Sequence, residues 1–286
     1  MQDKFQQDQA GQPGSLLVVV CCYALPLNIL RQCLKRLAKR CGASMRGVIV
    51  INRPGEEGAG DEDWSVILGS NLVHDFSAYA EGLAYLATKA MVVDEVVFLN
   101  DSLFTSHHPA VTFRELMRWL PVLGRVQAPA IAGKADRYAT ICFSNPWSGL
   151  GMYVSTYCFA LNREALPILA GLETFAAIDV GDKTAPMHLL SPEWGGAGNI
   201  AFREQVRTFL VYAPSGFSWP GLKRYTPDDK MLAIKARCIY LEHRLSGEIG
   251  RVGCILPINL RFSARVRLNV AERFARFSKR IMRILG

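Results

Sequence analysis

The 286-residue chain lacks the fingerprints of several common chemistries. No G-x-G-x-x-G follows an apolar run, so the usual dinucleotide-binding turn is missing, and no P-loop is present to cradle a triphosphate. No two of the eight cysteines stand at C-x-x-C spacing. Most lie in apolar runs and Cys33 in a helical pattern, so they read as reduced, buried thiols rather than zinc ligands or a disulfide framework. Histidine is scarce. His107 and His108 are neighbours whose side chains diverge, a poor metal pair, and they read as loop residues. Long hydrophobic runs are missing too: the longest, from Leu16 to Leu25, is about half the roughly 20 residues of a spanning helix. The first 14 residues have Lys4 as their only basic side chain, so a loose tail is expected there rather than a secretory leader. Acidic residues are nearly missing from 261–286, where eight Arg and Lys face Glu272 alone. The chain carries +8 in all, so the remainder is close to neutral.

Half of the residues are hydrophobic, enough for one large core, and no repeat or low-complexity linker divides the chain. Ser15–Tyr23, Arg46–Asn52 and Glu95–Leu99 are short β-branched runs of the kind found in strands covered on both faces. Between them, Asn28–Cys41 carries Ile29, Leu30, Cys33, Leu34 and Leu37 at helical spacing, bounded by Pro26 and Gly42. Trp64–Leu68 reads as a short strand, and Phe76–Val92 as a helix capped by Asp75. Further on, Ala139–Phe143 and Met152–Leu161 are expected as strands, and Phe113–Val122, Asn162–Leu172 and Ile200–Phe209 as helices. This order predicts an α/β fold with a mixed, mostly parallel sheet flanked by helices, whose ligands bind outside the carboxyl ends of the strands.

The run Phe98-Leu-Asn-Asp-Ser102 delivers Asp101 to that edge, and Asp75-Phe-Ser-Ala-Tyr-Ala-Glu-Gly82 opens the preceding helix. Local sequence alone equally allows Asn100 and Asp101 to be simple turn residues. Together the two motifs resemble the rhamnan synthesis protein F group of polysaccharide glycosyltransferases, in which a D-F-G-[AS]-[WY]-x-x-G-L helix start precedes a strand ending in N-D-S. Asp75, Phe76, Tyr79, Gly82, Leu83, Asn100, Asp101 and Ser102 match, over a resemblance that covers about residues 16–105. Ser77 stands where the family has glycine, and Leu99 interrupts the D-x-D pair common in this fold.

The resemblance implies a GT-A-like, Rossmann-type domain over residues 15–222. Tyr23, Asn52, Arg53, Asp75, Tyr79, Asn100 and Asp101 would hold a nucleotide-sugar donor, with Asp101 binding a divalent metal (Mn or Mg). It also implies that Asp101→Ala abolishes turnover and leaves the fold intact. An inverting transfer needs a general base, for which Glu193 and then Asp179 are the candidates, and Trp194 would stack on the acceptor sugar. For any single acid of this kind, an ordinary solvated loop residue is the commoner case.

Residues 223–286 read as a C-terminal amphipathic helical appendage. In its last stretch Val270, Phe274, Phe277, Ile281 and Ile284 form one stripe, flanked by Arg273, Arg276 and Arg280, which suits an anionic membrane surface or, more plainly, a helix docked on the domain. No nucleic-acid partner is expected, since the rest of the chain is neutral and shows no such motif. The expected protein transfers a sugar to a glycan or lipid-linked acceptor of the bacterial cell surface, working cytoplasmically and peripherally on the inner face of the cell membrane. The alternative is a non-catalytic, transferase-like tether for a biosynthetic complex. An ester hydrolase using Ser148 is a remote third, because Trp147-Ser148-Gly-Leu-Gly151 lacks the glycine two residues before the serine.

Overall fold

The computed structural model describes residues 15–89, 94–138, 141–196, 199–211 and 230–285, with side chains described up to Ala275 in the last helix. The amino-terminal 14 residues and the boundary expected at residue 222 lie outside this set. In chain order the elements are β1 (Ser15–Cys22), α1 (Leu27–Cys41), β2 (Ser44–Ile51), β3 (Trp64–Leu68), α2 (His74–Thr88), β4 (Glu95–Asn100), α3 (Ser102–Ser106), α4 (Pro109–Met117) and α5 (Leu120–Leu123). Then come β5 (Ala130–Arg137), β6 (Met152–Asn162), α6 (Leu166–Ala170), α7 (Leu172–Val180), α8 (Ile200–Leu210), α9 (Lys230–Val252), β7 (Cys254–Pro257) and α10 (Phe262–Leu285).

The strands form one seven-stranded sheet in the order β3-β2-β1-β4-β6-β5-β7. Strand β6 pairs antiparallel with β4 and with β5, while every other pairing is parallel. The side-chain period of two along a strand sends Val18 and Val20 to one face and Val19 and Cys21 to the other, all fully buried. On the first face Leu30, Leu34 and Leu37 of α1 pack with Phe113 and Leu116 of α4 and Leu268 of α10. On the second, α2, α6, α7, α8 and α9 supply Tyr79, Leu169, Ala176, Phe202 and Tyr240. The result is three layers, helices on both faces of a mixed, mostly parallel sheet.

Two glycines set the geometry of the first half. Gly42 ends α1 in the left-handed region at φ 64°, and its N–H reaches back to the carbonyls of Ala38 and Lys39. Gly82 lets α2 press onto the sheet: a Cβ there would come within 2.4 Å of Val19.

Three expectations need correction. Helix α2 starts two residues early, at His74, so Asp75 sits inside its first turn rather than at the cap. Of the strand expected at Ala139–Phe143, residues 139–140 lie outside the described residues and 141–143 form no strand; the strand of this region is β5, Ala130–Arg137. Alanine, Gly133, Lys134 and Asp136 give this segment little intrinsic strand preference, and it extends because β6 and β7 pair with it on both sides. Nor is the C-terminal region an appendage. Strand β7 closes the sheet beside β5, and α9 buries Leu232, Ala236, Tyr240, Leu241, Leu245 and Ile249 in the central core. No helix among the described residues is long and apolar enough to cross a membrane.

Because α9 is a core element, a chain ending at residue 222 is expected to show no cooperative unfolding transition. Leu241→Ala, which empties a fully buried site, should lower stability by about 3 kcal/mol in urea denaturation.

Candidate functional site

At the carboxyl edge of the sheet, β1 ends at Cys22 and β4 at Asn100, and the chain turns sharply after each. The Asp101 side chain ties the two turns together. Its Oδ2 accepts the N–H groups of Tyr23, Ala24 and Leu25 at 2.8, 2.5 and 2.8 Å, while its own N–H donates to the Cys21 carbonyl at 3.2 Å. Burial pushes the Asp101 carboxyl up, and the three amides work against that by favouring the charged form. One strand over, Glu56 accepts the Leu27 N–H at 2.6 Å and so satisfies an amide at the start of α1.

Two hollows open along this edge. The larger, about 720 Å³, lies beyond the ends of β2 and β3, with Asn52, Arg53, Glu56, Ser70, Lys183 and Lys230 among its lining residues. Asn52 is almost wholly buried; its Nδ2 donates to the His74 carbonyl at 2.6 Å, and its Oδ1 has no hydrogen-bond partner among the described residues. The smaller, about 350 Å³, lies beyond β4 and β5 and is lined by Asp75, Asn100, Lys134, Asp136, Lys235 and Glu242, among others. Helix α9 borders both: Lys230 and Ile234 face the first, and Lys235, Cys238, Ile239 and Glu242 the second.

The second hollow is dense in paired charge. Asn100 donates to Asp75 at 2.5 Å, and Ser155 donates to Asp136. Lys134 bridges Glu272 of α10 at 2.7 Å and Asp136 at 3.5 Å. Glu242 accepts from the Thr156 N–H at 2.7 Å and its hydroxyl at 3.0 Å. Burial nevertheless raises the Glu242 carboxyl to about 7, against the lowering effect of the Thr156 hydrogen bonds and of Lys235. Burial also raises Asp75, again opposed by Lys235. The reverse holds for Glu272: burial alone would raise it, but His107 and Lys134 outweigh burial and hold it at about 2.

The residues anticipated from the sequence divide accordingly. Asn52 and Arg53 line the larger hollow, and Asp75 and Asn100 the smaller. Tyr23 is partly exposed at the tip of β1, its ring against His74 at 5.5 Å. Tyr79 is a core residue instead: its ring packs on Phe98 and Phe159 and its hydroxyl donates to the Thr156 carbonyl at 2.7 Å, leaving no surface for a donor.

Asp101 gives one carboxylate oxygen, Oδ2, to the three loop amides; among the described residues no group of three or more His, Cys, Asp or Glu stands ready for a metal. Trp194 is fully buried against Phe202 and Tyr240 and has no free face for a sugar. Asp179 accepts from Tyr240 at 2.7 Å and pairs with Arg244 at 3.1 Å, binding α7 to α9. Glu193 is exposed, and its hydrogen bond with Ser191 lowers its carboxyl, the wrong direction for a base near neutrality. Neither acid lines either hollow.

His107 and His108 lie in the loop between α3 and α4, as read from the sequence, and both are engaged there. His107 stacks on Tyr157 at 3.6 Å beside Glu272, and His108 accepts the Val111 N–H at the start of α4. Glu242, Lys235 and Lys134 were missed. The available signal was a lysine, a cysteine and a glutamate at 235, 238 and 242 on one face of a helix otherwise apolar at that spacing. No protein-family model matches the chain, and no curated protein matches it.

Two predictions follow from the geometry. Asp101→Ala leaves three amides without their acceptor and is expected to lower stability by about 3 kcal/mol in chemical denaturation, with Asp101→Asn intermediate. Glu272 has its folded pKa depressed, so its contribution is fully present above its unfolded pKa of about 4.3 and disappears as pH falls through about 2. Glu272→Gln should therefore be about 2–3 kcal/mol less stable at pH 7, a gap that narrows markedly by pH 3 in urea unfolding.

Proposed function

We propose that the protein is a glycosyltransferase of GT-A type that moves a sugar from a nucleotide donor to a cell-surface glycan or lipid-linked acceptor at the inner face of the cell membrane. The observation that carries this reading is the pair of hollows along the carboxyl edge, joined by α9 and ending at an acid raised to about 7. From Lys230 to Glu242 the helix advances about 18 Å, the length scale of an extended nucleotide sugar.

In this reading the base enters the larger hollow, where the buried Asn52 Oδ1 offers an acceptor to a ring N–H. Arg53, Lys183 and Lys230 face the phosphates, moderated by Glu56 and Glu57. The sugar projects past Asp75 into the smaller hollow. There Glu242, as carboxylate, takes the proton from the acceptor hydroxyl; that oxygen attacks the anomeric carbon, and the nucleoside diphosphate leaves. Lys235 beside it favours the charged form of the acid. No step is routed through a divalent metal.

A non-catalytic, transferase-like tether is the second reading, favoured by Leu99, which interrupts the D-x-D pair common in this fold. The two are separated by a thermal-shift panel of nucleotide sugars, followed by turnover of whichever donor stabilises the chain. The transferase reading expects one donor class to raise the melting temperature and kcat/KM to rise with pH through about 7, as Glu242 loses its proton. Glu242→Gln should keep the donor-induced shift but lose about 100-fold or more in kcat. A donor shift without turnover at any pH, or no shift with any nucleotide, overturns the transferase reading and selects the tether.

A further inference from the structure

Helix α10 has two faces that do different things. Inward, Ala264, Leu268 and Ala271 are buried, and Glu272, the one acid between residues 261 and 286, reaches Lys134 at 2.7 Å. Outward, Phe262, Val266, Val270 and Phe274 are all exposed, Phe262 and Phe274 by 79% and 68%. They repeat every fourth residue, so they form one continuous stripe on the helix. Exposed arginines surround it: Arg261, Arg265, Arg267 and Arg273. Arg267 is tied to Glu115 and Arg265 to the Asn259 carbonyl, which fixes the helix on the domain rather than masking the stripe. Phe277, Arg276 and Arg280 continue the pattern in sequence, and their side chains lie outside the described residues.

We infer that this outer face of α10, beginning at Phe262, seats the folded domain on an anionic lipid bilayer. Charge chooses the occupant. With its only acid turned inward, the outer surface is uniformly cationic, which suits an anionic headgroup layer and sets like charges against each other in a pairing of two copies. Two phenylalanines and two valines in a row suit acyl chains better than the phosphates of a nucleic acid.

The same geometry fixes orientation. Glu272 on the inner face binds Lys134, which lines the smaller hollow, so that hollow and the lipid-facing stripe lie on opposite sides of one helix, about 10 Å across. The seating deepens the membrane placement proposed above, and its test does not depend on the donor.

The full chain is sedimented with vesicles of phosphatidylcholine alone and of equal parts phosphatidylcholine and phosphatidylglycerol, alongside the double variant Val270→Asp, Phe274→Asp. Both substitutions are at exposed positions, and an unchanged near-UV circular dichroism spectrum will show that the fold is kept. Binding of the wild type to the anionic vesicles, weakened by high salt and reduced about tenfold or more in the variant, is the expected result. Equal binding by variant and wild type overturns the proposal, as does equal binding to both vesicle types. It is also overturned if the wild type ignores vesicles and light scattering shows a dimer that the variant loses, which would make the stripe a self-interface, or if it ignores vesicles and retains polyuridylate.

Discussion

Asp101 puts a buried carboxylate beneath three consecutive amides, and the carboxyl edge of the sheet takes its shape from that arrangement. A strand that runs into a helix leaves unpaired N–H groups at the turn, and here three of them meet one oxygen at the end of the neighbouring strand, 76–78 residues along the chain. The turn after β1 is thereby locked to the turn after β4, beside the Asn100–Asp75 hydrogen bond. An acid in this position reads in sequence as a metal ligand. In the fold its Oδ2 also organises the edge by holding three amides.

Helix α9 completes what that edge begins. Its apolar face fills the core beneath α2, α7 and α8, while its polar residues from Lys230 to Glu242 border both hollows in succession. Stability and chemistry therefore rest on one element. Glu242 is raised because the helix carrying it is pressed onto the sheet, where Thr156 gives it hydrogen bonds but water is largely excluded. Helix α10 repeats the economy: its inner acid braces the smaller hollow while its outer face stays apolar and cationic.

The first half of the fold was legible because strands covered on both faces are near-continuous β-branched runs, as in Leu17–Val20 and Val48–Ile51, and α1 is bounded by Pro26 and Gly42. Strand β5 was not, because AIAGKADR takes its extension from pairing with β6 and β7 rather than from its own preferences. Tyr79 and Trp194 were read as binding aromatics since sequence cannot tell a ring that faces a ligand from one that fills a core.

By itself the sequence determined the alternation of strands and helices, the arrival of Asn52, Asp75 and Asn100 at one edge, and the concentration of positive charge at the C-terminus. These are properties of residue type and spacing, which travel with the chain. Only the tertiary structure decided that Asp101 serves three amides, that Glu193 and Asp179 stand away from the hollows, that Glu242 lies in one of them, and that β7 and α9 belong to the core. Those outcomes depend on which groups meet across long stretches of chain and on how much water remains around them, and neither is encoded in any local run of residues.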